Sequence, residues 1–222
     1  MTAQAQMAAK AYTAGEEIWH AVIHGIAFIL SIFALIFMAA KAAESANSLA
    51  ILASTAFCAG LMLTFATSTL YHCAYQSPFQ PFLKLLDHSA IYFAIATGYI
   101  PFALLLLPLD IGLPVVIATL SVAVFGTVFK IVKFMVKKQN SLKWVSLGLY
   151  LLMGWGAVIL SKPLYKALSP EGFMWLLAGG LCYTVGAGFY AAKSMKYSHA
   201  IWHFFVVAGA VCHFISVYWY VL

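Results

Sequence analysis

The stretch YSHAIWHFFVVAGAVCHF, residues 197–214, is an apolar run broken by three imidazoles, His199, His203 and His213, and it contains no charged residue. With the apolar residues that follow, to about residue 221, it is long enough to cross a hydrocarbon layer roughly 30 Å thick at about 1.5 Å per helical residue. Imidazole is an expensive group at that depth unless something binds it. The run therefore decides the solvent and raises a second question: what the histidines hold.

The rest of the chain answers the first point in the same way. Of 222 residues, 64% are hydrophobic and 8% charged, and the mean hydropathy is +0.96; soluble domains carry about 25% charged residues. Seven apolar segments can be drawn, at about 20–41, 49–72, 87–108, 113–136, 143–161, 172–192 and 199–221. Short connections rich in Pro, Ser and Gly separate them, such as QSPFQP at 76–81 and SPEG at 169–172. The expected fold is an all-α membrane protein, a bundle of seven transmembrane helices over residues 19–222, preceded by a short N-terminal tail or interfacial helix at 1–18. The first segment reads as a retained span and not as a cleaved leader, because its apolar part exceeds the usual length of about 7–15 residues and acidic Glu16 and Glu17 precede it. The four cysteines, at 58, 73, 182 and 212, show no CxxC spacing and read as small packing residues.

The net charge of +6 comes from twelve lysines and no arginine, concentrated in KIVKFMVKKQNSLK at 130–143. A basic loop between apolar spans faces anionic headgroups, so a membrane surface is expected as partner and nucleic acid is not. Most lysines fall on the side of the N-terminus, which predicts a cytoplasmic N-terminus and an outward C-terminus.

Helix parity then gathers the polar residues. The second segment ends at His72, the third begins at Asp87 and the seventh begins at His199, so all three belong to one boundary, the cytoplasmic one. His199 and His203 are four residues apart and share a helix face, as do Ser68 and His72. Two imidazoles at that spacing suit one ion at about 2.0–2.1 Å per bond, and three with a water form a known catalytic zinc arrangement. Asp87 is placed to accept a proton from such a water. A second pair, His20 and His24, has the same spacing at the same boundary, and spacing alone does not choose between the pairs. His213, ten residues beyond His203, lies about 15 Å deeper and reads as a buried hydrogen-bonding residue.

The segments STLYHCAY with Ser68 and His72, KLLDHSAIYFAIATGYIPF with Asp87, and SHAIWHFFVVAGAVCHF with His199 and His203 resemble the haemolysin III family. That family is the bacterial branch of the progestin and adipoQ receptor family and is related to the alkaline ceramidases. The likeness runs through nearly the whole chain and joins SxxxH, Asp and HxxxH in order. It implies zinc held by His72, His199 and His203, Asp87 interacting with the zinc water, Ser68 lining the site, and no ligand role for His20 or His24. It further implies hydrolysis of the amide of ceramide-like lipids and residence in the bacterial inner membrane; the expected activity is zinc-dependent hydrolysis of a lipid amide or ester, with a membrane lipid as substrate and Ser68 or Tyr71 stabilising the oxyanion. The alternative it carries is a membrane-homeostasis, transport or pore-forming protein with a structural zinc. A pore needs a polar stripe through several helices, whereas here the polar residues gather at one end.

Overall fold

The computed structural model describes residues 12–136, 143–192 and 194–222. All regular structure among the described residues is helical: α1 (Ala14–Glu44), α2 (Ser48–Cys73), α3 (Gln80–Leu106), α4 (Leu109–Met135), α5 (Lys143–Trp155), a 3-10 segment (Gly156–Leu160), α6 (Ser161–Ala167), α7 (Pro170–Ala191) and α8 (Ser198–Tyr220). Seven helical stretches are long and apolar enough to cross a membrane, the fifth being the composite Trp144–Ala167. Their outward faces carry bare aliphatic and aromatic side chains, among them Phe33 and Phe37 on α1 and Phe125 and Val128 on α4. Such a surface is tolerable in lipid and not in water.

Two helices begin six or seven residues earlier than hydropathy alone predicts, and local chemistry explains both. α1 starts at Ala14 because Thr13 forms a capping box: its Oγ1 accepts the Glu16 N–H at 3.3 Å while Glu16 Oε2 accepts the Thr13 N–H at 2.9 Å. Residues 14–18, expected in a tail or interfacial helix, run without a break into the first apolar helix; residues 1–11 lie outside the described residues. α3 starts at Gln80, with Pro81 in its first turn, where a missing N–H costs nothing. Asp87 consequently lies about two turns inside α3 rather than at its start.

Burial separates the spans. In their most apolar windows 44% of α2 and of α3 is buried, against 11% of the fifth span, so α2 and α3 are central and the broken fifth span is peripheral. Small residues set the close contacts. A Cβ at Gly126 on α4 would fall within 2.6 Å of the Tyr92 ring on α3, so only glycine admits that ring. Hydroxyls on the spans also reach across: Thr64 Oγ1 donates to the Ala90 carbonyl at 3.2 Å, and Ser216 Oγ to the Gly172 carbonyl at 2.8 Å. α8 closes the bundle by packing on both α7 and α1. Glu16 Oε1 accepts the N–H of Tyr197, just ahead of α8, at 3.1 Å, and Lys41 at the far end of α1 meets the Tyr218 carbonyl.

Candidate metal centre

The fastening of α1 to α8 brings five histidines together. His20 and His24 come from α1, His72 from α2, and His199 and His203 from α8. Nitrogens of His20, His72 and His199 lie within 4.8 Å of one another, and His203 Nε2 is 3.0 Å from His199 Nε2. In a tetrahedral site with bonds of about 2.0–2.1 Å, neighbouring ligand nitrogens are roughly 3.3 Å apart, so the α8 pair already stands at ligand spacing. The His24 ring stacks on His203 at 3.7 Å between centroids and 17° between planes, which fixes the His203 ring from the side.

Hydrogen bonding distinguishes the roles of the ring nitrogens. His72 Nδ1–H donates to Glu17 Oε2 at 2.5 Å, leaving Nε2 buried and unpaired. A carboxylate behind a histidine that points its other nitrogen inward is the usual support for a metal ligand. The same Glu17 oxygen is 3.6 Å from His20 Nδ1. Both nitrogens of His20 and of His24, and Nδ1 of His199 and of His203, are buried without a hydrogen-bond partner. Buried polar groups left in that state cost about 1–3 kcal/mol each. Imidazoles gathered around one point, with no acidic or carbonyl oxygen for most of them, fit a bound cation: the His20, His72 and His199 set can hold a metal ion.

Tyr12, outside the spans, covers the cluster. Its ring stacks on His199 at 5.1 Å and meets the His20 ring edge-on at 4.9 Å. Burial pushes its phenol up to about 12, so it stays neutral.

On the other side the cluster opens into a cavity of about 300 Å³. Its polar end is lined by His24, Ser68, Asp87, His199 and His203. Ser68 Oγ is buried and unpaired, and Asp87 Oδ2 is 3.2 Å from His88 Nδ1. His88 Nδ1 also lies 2.9 Å from the Lys84 carbonyl, and the His88 carbonyl accepts from Tyr150 O–H at 2.6 Å. From there the cavity continues between apolar side chains such as Phe102, Leu164 and Leu176 as far as His213. That is about 15 Å along α8 from His203. His213 Nε2–H donates to the Leu176 carbonyl at 3.2 Å, the hydrogen-bonding role expected of it.

The structure therefore brings His72, His199, His203, Ser68 and Asp87 to one end of the bundle. It adds His20, which the family likeness sets aside, and Glu17, which in the sequence is only an acidic flank. The signal for Glu17 was present in EEIWHAVIH: a glutamate three residues before a histidine shares its helix face. What spacing within α1 cannot reveal is that this face meets His72 of α2.

Fold and site together define a multi-pass membrane protein whose first, second and last spans bury a histidine cluster able to hold a metal ion. The chain belongs to the haemolysin-III related family, whose model matches residues 12–214. It is 41% identical over 209 residues to the hemolysin-3 homolog of Bacillus subtilis (strain 168), covering 94% of this chain and 96% of the relative. To hemolysin-3 of Bacillus cereus it is 39% identical over 207 residues, 93% of this chain and 92% of that one. The human monocyte to macrophage differentiation factor is 27% identical over 169 residues, 72% of this chain and 67% of its own length.

Proposed function

We propose that this protein is a zinc-dependent hydrolase of a lipid amide or ester, resident in the bacterial inner membrane, with its N-terminus and its metal centre on the cytoplasmic side. The observation that carries this reading is that His24, His199 and His203 of the histidine cluster stand, with Ser68 and Asp87, at the polar end of an otherwise apolar cavity of about 300 Å³. The volume is at the lower edge of the usual range for small-molecule pockets, roughly 300–1,000 Å³. An apolar cavity running about 15 Å along α8 from a polar head suits an acyl chain whose carbonyl stops at the site.

In this reading His72, His199 and His203 hold the zinc. Zinc in such a set supplies Lewis-acid polarisation of a carbonyl and a water acidified toward a pKa of about 7. Asp87 takes the proton of the attacking water and returns it to the departing amine or alcohol as the acyl carbon gains the water oxygen and its C–N or C–O bond breaks. Ser68 Oγ, lacking any other partner, donates to the acyl oxygen on which charge accumulates, and Tyr71 is the neighbouring hydroxyl for the same task. In this reading the substrate enters sideways from the bilayer; Gly154, Ala157 and Val158 line the cavity where α5 gives way to the 3-10 segment.

The test is turnover on a panel of ceramide-like amides and lipid esters by the protein in nanodiscs. Wild type is expected to release fatty acid, and Asp87→Asn to lose turnover while keeping its zinc. Absence of zinc from the purified wild type would remove the basis of the reading. Liposome flux that survives in His203→Ala would instead favour a transport or pore-forming role with a structural zinc.

A further inference from the structure

His20 is placed like a ligand and not like a packing residue. It is 0% exposed, both of its ring nitrogens lack a hydrogen-bond partner, and its nitrogens share a 4.8 Å sphere with those of His72 and His199. Its ring centroid is 4.7 Å from that of His72, 4.7 Å from that of His199 and 5.3 Å from that of His203. His72 is surrounded in the same way, by His20, His199 and His203 at 4.7, 5.4 and 5.0 Å, so His20 and His72 hold equivalent places in the cluster. His24, its neighbour one turn on, is engaged differently: it stacks face to face on His203 and meets Phe65 edge-on at 5.1 Å. A stacked ring directs its π face, not its lone pair, at its neighbour.

Glu17 strengthens the distinction. One carboxylate oxygen stands 2.5 Å from His72 Nδ1 and 3.6 Å from His20 Nδ1. The carboxylate bonds His72 and orients that ring, as an outer carboxylate does for a ligating imidazole, while 3.6 Å is too long for a hydrogen bond to His20 and leaves both His20 nitrogens open to an ion. We propose that His20 is a fourth protein ligand of the metal, so that α1, α2 and α8 are joined through one ion held by His20, His72, His199 and His203. This rests on the reading that the cluster holds a divalent metal. It also constrains the hydrolase: four imidazoles fill a tetrahedral zinc, so the water that Asp87 deprotonates would need the fifth position that zinc can open.

The experiment uses the full chain in nanodiscs, loaded with zinc or cobalt. X-ray absorption on the wild type counts imidazoles directly and is expected to find four nitrogens at about 2.0–2.1 Å; three imidazoles and an oxygen would overturn the proposal. Zinc competition against a chelator follows, on His20→Ala and on His20→Phe, which keeps a ring in place without a donor. Each is expected to weaken zinc binding by about 100-fold or more, beyond the 10–100-fold typical of losing an outer partner, and to change the cobalt absorption bands. Unchanged affinity and spectrum in both variants would overturn the fourth ligand, while loss of metal from His203→Ala in the same series would keep the metal centre. A wild type that takes up neither metal overturns both.

Discussion

His203 and His213 lie ten residues apart on one helix, and the contrast between them separates structural from functional polarity in this bundle. Both are imidazoles at membrane depth, where an ionisable group needs a reason to be. His213 has one close at hand: its ring donates to the Leu176 carbonyl of α7, and Gly179 on that helix leaves room for it, since a Cβ there would collide with the ring. His203 has no such acceptor. Its Nδ1 is unpaired, its Nε2 faces His199 Nε2 at 3.0 Å, and three further histidine rings crowd around it. A histidine served by a neighbouring helix fastens two helices; one served only by other histidines is the one we propose as a metal ligand.

The widest separation of the two is expected on metal removal and ligand loss. His203→Ala should abolish stoichiometric zinc in the purified protein and all hydrolysis, measured by elemental analysis and fatty-acid release, whereas His213→Ala should retain full zinc. Equal zinc in both variants would collapse the distinction. Next in size, Asp87→Asn should lower turnover by about 10²–10⁴-fold, the range for losing a positioned acid–base group, with zinc content unchanged. Loss of zinc along with activity would instead place Asp87 among the ligands. Smaller again, Glu17→Gln should weaken zinc affinity by about 10–100-fold through the orientation of His72. An unchanged affinity would mean that the Glu17–His72 contact has no bearing on the metal.

This contrast also marks how far the sequence can be read. Seven spans follow from hydropathy because a lipid solvent demands about 20 apolar residues in succession, and parity along the chain is enough to bring His72, Asp87 and His199 to one boundary. Helix ends are less legible: Thr13 with Glu16, and Pro81, extend α1 and α3 by chemistry to which an apolar window is blind. The composition of the cluster is less legible still. His20–His24 and His199–His203 are the same motif in sequence, and they part company only when rotation of α1 sends His20 toward His72 and lays His24 flat on His203. Helix rotation about its axis is set by side-chain packing between spans, such as the approach of α1 to α8 through Glu16 and Tyr197, and leaves no mark in the spacing of one helix.

The smallest expected effect is the one that tests the structural half of the comparison. His213→Gln keeps an N–H donor of similar reach, so its bond to the Leu176 carbonyl can form again; His213→Leu keeps the bulk and deletes the donor. A net hydrogen bond is worth about 0.5–1.5 kcal/mol, with more lost where the acceptor stays buried and unpaired. His213→Leu should accordingly lower unfolding stability by roughly 1–2 kcal/mol in detergent, His213→Gln by less, and neither should alter zinc content or turnover. The apolar wall that His213 contributes to the far end of the cavity is preserved by leucine, so chain-length preference should stay as in the wild type. If His213→Leu instead lost zinc, the roughly 15 Å between the two ends of the site would have to be coupled through α8. His213 would then belong with the cluster it stands apart from.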